Sequence, residues 1–108
     1  MVNSRAKGSR GELEFANWLK ARGVDARRSQ QYCGVGGDGD LQTDLPFHFE
    51  IKRVEALNIN KAMAQAIGDS AESALTPVVC HRKDRGEWLI TMRAEDWFGQ
   101  VVKKQEGT

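Results

Sequence analysis

The segment FHFEIKR, which begins at Phe47, constrains the fold more than any other part of the sequence. Its apolar side chains, Phe47, Phe49 and Ile51, occupy every second position, which is the period of a β-strand. The apolar set must face a core. Glu50 and Lys52 therefore project together from the opposite face, about 6.6–7 Å apart along the strand. This pattern predicts a sheet that is buried on one face and carries a charged pair on the other.

A helix is predicted before this strand, over residues 9–22. Ser9 is expected to be its N-cap, Glu12 to complete a capping box, and Gly23 to end the helix. Four apolar residues are expected to form its buried stripe: Leu13, Phe15, Ala16 and Leu19.

The rest of the chain predicts short strands, two more helices and a glycine-rich loop. A short strand, VDARR, precedes the loop SQQYCGVGGDG, and residues 40–53 are expected to form a hairpin. Asn58 is expected to cap a second helix, INKAMAQAIGDSAESA, whose apolar face contains Ile59, Met63, Ala66 and Ile67. The segments TPVVCHR and EWLITM predict a second hairpin through KDRG, and AEDWFGQVVKK predicts a final helix.

This order of elements indicates an α/β or α+β fold, with a mixed β-sheet flanked by helices. The length of 108 residues suits a single domain over residues 1–108. No segment has the length and hydropathy of a membrane span or the features of a signal peptide, so we expect a cytoplasmic protein without membrane contact. Cys33 and Cys80 lack the spacing of metal ligands and are expected to be buried or incidental thiols.

The charges are unevenly distributed, although the formal net charge is only +1. Residues 1–28 contain seven basic and three acidic side chains, whereas residues 29–52 contain four acidic side chains and one lysine. An acidic region beside a basic one suits a site that binds a cation and receives a polyanion. The candidates for phosphate contacts are Arg5, Lys7, Arg10, Arg27, Arg28 and Arg53.

Asp40 opens the first strand of the predicted hairpin and can lie beside Glu50 on the second. Two carboxylates about 4 Å apart repel by roughly 4 kcal/mol at an effective dielectric near 20, and a divalent cation removes that repulsion. Mg²⁺ prefers carboxylates, waters and phosphate oxygens, and the carbonyl of Ile51 is a further candidate ligand. A bound Mg²⁺ would polarise a phosphodiester and acidify a water that Lys52 could orient.

Asp40, separated by nine residues from Glu50-Ile51-Lys52, resembles the pattern of the PD-(D/E)XK nuclease superfamily, with Gly39 in place of the proline. The segments KGSRGELEF, RRS, GDL and EIK are similar to those of the archaeal-type Holliday junction resolvases and their phage relatives. This resemblance covers residues 7–52 well and the later elements in outline. It implies a restriction-endonuclease-like fold, phosphodiester cleavage with Mg²⁺ or Mn²⁺, and a homodimer that acts on branched DNA.

The resemblance also implies a catalytic set of five side chains. Asp40 and Glu50 correspond to the metal-binding acids, and Lys52 corresponds to the lysine of the motif. Glu12 corresponds to a glutamate of the first helix that approaches the metal, which makes it a further candidate metal ligand. Gln65 corresponds to a supporting glutamine on the helix that follows.

Two of these assignments have structural alternatives. Glu12 is fully explained as a capping-box residue, and Gln65 as the polar side of an amphipathic helix.

Ser29 corresponds to a serine that precedes the glycine-rich loop in the resolvases, and it joins the basic residues as a candidate DNA contact.

Asp38 and Asp44 are rivals of Asp40 for the metal site. Both lie in loop or turn segments, where aspartate is favoured for local hydrogen bonds. His48 shares the face of Glu50, and we interpret it as a partly exposed strand residue outside the site.

The sequence therefore predicts a Mg²⁺-dependent endonuclease that cuts DNA at four-way junctions, in the cytoplasm of a bacterial, archaeal or virus-infected cell. A nuclease of the same fold that acts on linear, flap or site-specific DNA is the nearest alternative. A non-catalytic nucleic-acid-binding protein of this fold is the second alternative, although it would have no use for the acids and the lysine.

Overall fold

The computed structural model describes residues 4–29 and 40–106, with side chains described within residues 10–29 and 40–103. Its helices are α1 (Ser4–Lys20), α2 (Ile59–Asp69) and α3 (Ala94–Glu106). Its strands are β1 (Ala26–Arg28), β2 (Leu41–Thr43), β3 (Phe47–Arg53), β4 (Thr76–Arg82) and β5 (Leu89–Met92). The expected order of elements and the mixed α+β fold class are confirmed. The glycine-rich loop after Ser29, with Cys33 and Asp38, lies outside the described residues.

Three strands form a mixed sheet in the order β3, β4, β5. β3 and β4 run parallel, from Phe47 opposite Thr76 to Arg53 opposite Arg82, and α2 connects them as the crossover that parallel strands require. β4 and β5 are antiparallel, which confirms the second hairpin. None of the helices within the described residues has the length and hydropathy needed to span a membrane.

The prediction that β2 and β3 form a hairpin is wrong. β2 pairs instead with β1 in an antiparallel two-stranded ribbon, with Leu41 opposite Arg28. Burial explains this choice, because Leu41 and Ala26 both enter the core beneath α1 and each is 1% exposed. The ribbon is joined to the edge of β3 through Asp40, whose N–H donates to the carbonyl of Phe49 at 2.7 Å.

α1 differs from the prediction at its start and agrees with it at its end. The helix begins at Ser4, so Ser9 lies inside it and is not its N-cap. Gly23 follows the helix with φ +90°, and the N–H of Val24 donates to the carbonyl of Leu19 at 3.1 Å. This is the glycine-terminated helix end that the sequence predicted.

The buried stripe of α1 contains Phe15, Ala16 and Leu19, as expected, but Leu13 is 51% exposed. Glu12 is buried in place of Leu13, because Glu12 has the i, i+3, i+4, i+7 spacing with the other three residues of the stripe. A carboxylate is therefore turned toward the protein interior, and a leucine toward solvent.

The two sides of the sheet have different cores. Beneath α1, the ring of Phe15 lies 5.3 Å from Trp18, 5.0 Å from Trp88 and 6.0 Å from Phe49, between ring centroids. Cys80 is fully buried in the same core, so its expectation as a buried thiol is confirmed. Beneath α2, the buried residues are smaller: Ala62, Ala66 and Val79.

Asn58 caps α2 as predicted. Its Oδ1 accepts a hydrogen bond from the N–H of Lys61 at 3.1 Å. The helix ends at Asp69, five residues earlier than expected, and Ser70 is its C-cap. Its end therefore places Asp69 near the start of β3, since a crossover helix runs antiparallel to the strands that it connects.

Candidate active site

β3 presents opposite sets of side chains to the two sides of the sheet. Phe49 and Ile51 pack into the core beneath α1, which confirms the predicted faces. His48 and Glu50 lie on the α2 side and are only 2% and 5% exposed. The interpretation of His48 as a partly exposed residue is therefore wrong, because α2 covers this face of the strand.

Asp40 lies at the edge of β3, directly beside Glu50. Its Oδ2 accepts a hydrogen bond from the N–H of Ile51 at 2.7 Å, and its own N–H bonds to Phe49. These two hydrogen bonds join Asp40 to the residues on either side of Glu50. Asp40 therefore lies beside Glu50, as predicted, although the strand pairing that brings them together is different from the predicted one.

The surroundings of Asp40 make its ionisation unfavourable. Burial, and next the negative charge of Glu50, raise its pKa from 3.8 to about 7, and Glu12 adds a smaller effect in the same direction. The hydrogen bond from Ile51 and the positive charge of Lys52 act in the opposite direction. A carboxylate that is half neutral near pH 7 is ready to exchange its proton for a cation.

Lys52 lies between Glu50 and α2. Its Nζ is 3.9 Å from Oε2 of Glu50 and donates a hydrogen bond to Oε1 of Gln65 at 3.3 Å. Gln65 therefore restrains the ammonium group close to the carboxylate. The structure brings together Lys52, Glu50 and Gln65, all three of which the sequence placed in the site.

Glu12 reaches the same region from the other side of the sheet. Its Oε1 accepts a hydrogen bond from Nε of Arg28 at 3.0 Å, and the residue is 8% exposed. Gly11 allows α1 to pack close to β3, because a Cβ at that position would lie only 3.1 Å from Cβ of Arg53. With Ser9 inside α1, the capping-box explanation of Glu12 no longer applies, and its ion pair with Arg28 replaces it.

A second group of candidate ligands was missed by the sequence reasoning. Among the residues that the structure describes, His48, Glu50 and Asp69 offer ligand atoms that all lie within 4.8 Å of one another. Within the same described residues, Glu12, Asp40 and Glu50 do not come together as such a group. The spacing in the sequence could have indicated Asp69, because it lies one helical turn after Gln65 and therefore on the same side of α2.

The predicted DNA contacts are found in different surroundings. Arg10 and Arg27 are exposed, and Arg28 is 41% exposed at the side chain while it bonds Glu12. Arg53 lies in ion pairs with Glu14 and Asp84, both at 2.9 Å, so its charge is compensated within the protein.

Ser29 and the start of α1 are the other predicted DNA contacts. The N–H of Ser29 donates to the carbonyl of Asp40 at 3.0 Å, which anchors the beginning of the glycine-rich segment beside the acids. Arg5 and Lys7 lie in α1, and their side chains are outside the described part of the chain.

The fold and the arrangement of these side chains agree with the PD-(D/E)XK class of nucleases, and a family model identifies the chain as a member. The family model described as "Phage putative PDDEXK endonuclease" matches residues 3–108, and the chain belongs to this family. No curated protein and no solved structure matches the chain. Membership supports the superfamily that the sequence predicted, but it does not extend to the Holliday junction resolvase subtype.

Proposed function

We propose that the protein is a single-domain, Mg²⁺-dependent endodeoxyribonuclease whose metal ligands are Asp40, Glu50 and the carbonyl of Ile51. The position of Asp40 carries this proposal: its carboxylate is fixed at 2.7 Å from the N–H of Ile51, beside Glu50. The raised pKa of Asp40, caused by burial and by Glu50, also fits an all-oxygen site for a hard divalent cation. Mn²⁺ satisfies the same ligands.

The bound ion would supply Lewis acidity, which polarises the phosphodiester and lowers the pKa of a coordinated water. Lys52 orients that water and offsets the negative charge that develops on the phosphate oxygens. Gln65 holds Lys52 in place, and Glu12 acts through its charge on Asp40. Water adds to phosphorus, the bond from phosphorus to one ester oxygen breaks, and that oxygen leaves with a proton.

We further propose that the substrate is branched DNA and that the enzyme acts as a homodimer in the cytoplasm. The similarity of the segments KGSRGELEF, RRS, GDL and EIK to junction resolvases supports the substrate. Five large apolar side chains among the described residues are more than half exposed, and the four on β5 and α3 support a dimer: Leu89, Ile90, Trp97 and Phe98. The first two lie on β5 at the edge of the sheet, a position where a second copy can add its own strand.

A panel of labelled DNA substrates tests the activity. We expect four-way junctions to be cut in Mg²⁺ or Mn²⁺ and left intact with a chelator. Preferential cutting of linear duplex, flaps or one sequence would instead support a nuclease of the same fold with another substrate.

Two variants test the residue roles. Lys52→Ala and Asp40→Asn should each lose cleavage, by about 100-fold or more, while DNA binding is largely kept. Asp44→Asn, an exposed acid in the turn before β3, is the matched control and should cut like the parent protein. Salt-dependent DNA binding without any metal-dependent cutting would favour the non-catalytic alternative.

A further inference from the structure

We propose that His48, Glu50 and Asp69 form a second metal site, which binds a transition-metal ion such as Zn²⁺ and shares Glu50 with the Asp40 site. Each of the three residues offers one ligand atom within 4.8 Å of the other two. Asp69 belongs neither to the sequence motif nor to the proposed Mg²⁺ ligands. The proposal concerns metal binding alone and does not depend on DNA cleavage.

The spacing of His48 and Glu50 suits a shared ion better than a direct hydrogen bond. Nε2 of His48 lies 3.5 Å from Oε1 of Glu50. Hydrogen bonds between nitrogen and oxygen are usually about 2.7–3.2 Å long, so this contact is long. Two ligands on a tetrahedral ion, each about 2.0–2.1 Å from it, lie roughly 3.3–3.4 Å apart. An ion between these atoms therefore needs little movement of either buried side chain.

The position of Asp69 points independently to a cation. Asp69 is the last residue of α2, where the helix dipole disfavours negative charge, and the last turn of the helix contains no basic residue. The Asp69 carboxylate also lies close to that of Glu50, which adds a second unfavourable charge interaction, and the Lys52 ammonium is 3.9 Å from the other oxygen of Glu50. A divalent ion would relieve both. Asp69 is exposed, and its side chain can shift to complete the ligand set.

His48 determines which ions this site prefers. Imidazole nitrogen is a good ligand for Zn²⁺ and neighbouring transition metals, whereas Mg²⁺ selects oxygen ligands in strict octahedral geometry. The Asp40 site offers oxygen ligands, so the two sites should differ in metal preference. Because Glu50 belongs to both, Zn²⁺ at the second site competes with Mg²⁺ for its carboxylate.

Calorimetric titration of the metal-free protein with Zn²⁺ tests the site directly. We expect Asp69→Asn to bind Zn²⁺ about tenfold or more weakly than the parent protein, because a ligand is lost. Glu72→Gln is the matched control: it removes an exposed acid shortly after α2 that is not in the ligand set, and should leave the affinity unchanged. Equal Zn²⁺ affinity in Asp69→Asn and the parent would overturn the proposal.

A third variant separates this site from the nuclease site. Asp40→Asn should lose Mg²⁺-supported cleavage but weaken Zn²⁺ binding by less than the tenfold expected for Asp69→Asn, because it removes a charge beside Glu50 and no ligand of the second site. Loss of Zn²⁺ binding in Asp40→Asn, with retention in Asp69→Asn, would place the ion in the Asp40 site and contradict the second site. If the parent protein cuts no DNA at all, the nuclease proposal fails, yet the Zn²⁺ titration remains decisive for the second site.

Discussion

The two faces of β3 bury different kinds of side chain. The α1 face contributes Phe49 and Ile51 to an aromatic core around Phe15. The α2 face buries His48 and Glu50 almost completely. Apolar burial on the first face stabilises the fold, whereas removing charged or polar groups from water on the second face is unfavourable.

This contrast shows how a small protein can hold charges in a fixed geometry. Alternate residues of β3 face opposite sides, so the same seven-residue strand carries both the apolar side chains of the core and the side chains of the candidate site. Any movement of Glu50 would therefore also disturb the aromatic core. On the α2 side, Ala62 and Ala66 bring the helix close to the sheet, and the longer side chains of Gln65 and Asp69 then reach Lys52 and Glu50. Stability comes mainly from one face, and the candidate site lies on the other.

The largest effect on stability is expected for Phe15→Ala, on the α1 face. The side chain is fully buried and touches three aromatic rings, so its loss should lower the free energy of unfolding by about 3–5 kcal/mol. Denaturant titration measures this change. Leu13→Ala is the matched control on the same helix: it removes an exposed apolar side chain and should cost about 0.5 kcal/mol or less. Similar losses for both variants would contradict the contrast between buried and exposed positions.

The next largest effect is the pH dependence that Asp40 imposes on stability without divalent metal. Its pKa rises from 3.8 to about 7 on folding, because of burial and the charge of Glu50, so the folded state binds the proton more tightly. The associated stability is present below pH 4 and is lost as the pH rises to about 7. Asp40→Asn should remove this dependence and be more stable than the parent protein at pH 8, by roughly 4 kcal/mol.

Unfolding curves of both proteins between pH 5 and pH 8, with a chelator present, check this prediction. A parent protein whose stability relative to Asp40→Asn stays constant across that range would show that Asp40 ionises normally. Adding Mg²⁺ at pH 8 should stabilise the parent protein more than Asp40→Asn, since an ion at the proposed Asp40 site would bind the folded state.

The sequence predicted the faces of β3 and the cap of α2 because both depend on local patterns. Two-residue alternation assigns Phe49 and Glu50 to opposite sides whatever their partners are, and Asn58 caps through residues three positions away. The partner of β2 is not local. A strand of three residues can pair on either side, and burial of Leu41 with Ala26 beneath α1 determined the outcome.

The candidate site was predictable in part for the same reason. Asp40, Glu50 and Lys52 follow a spacing along the chain, and the structure brings Asp40 beside Glu50 by a pairing that the spacing did not predict. Asp69 reaches His48 only because α2 ends where it does and runs back along β3. The partnership of Glu12 with Arg28 requires the packing of α1 against the ribbon, for which a single sequence carries no signal.

A smaller effect is expected at the contact between α1 and β3. In Gly11→Ala, the new Cβ would lie 3.1 Å from Cβ of Arg53, an atom held by the strand backbone and by ion pairs with Glu14 and Asp84. Overpacking of this kind usually costs about 1–3 kcal/mol, against a gain of about 1 kcal/mol from the helix propensity of alanine. We therefore expect a net loss of about 1 kcal/mol in the free energy of unfolding, measured with denaturant.

The same substitution on the α2 side should have the opposite sign and the smallest size. Gly68 lies inside α2, it is exposed, and no atom comes within 4 Å of a Cβ placed there. Gly68→Ala should stabilise the protein by about 0.5 kcal/mol, because alanine restricts the unfolded chain and favours the helix. Gly11→Ala is its matched partner, since the chemical change is identical and only the neighbouring strand differs. If both variants were stabilised equally, α1 would not be in close contact with β3. The packing of α1 could then not be what holds β3, and with it the candidate site, in place.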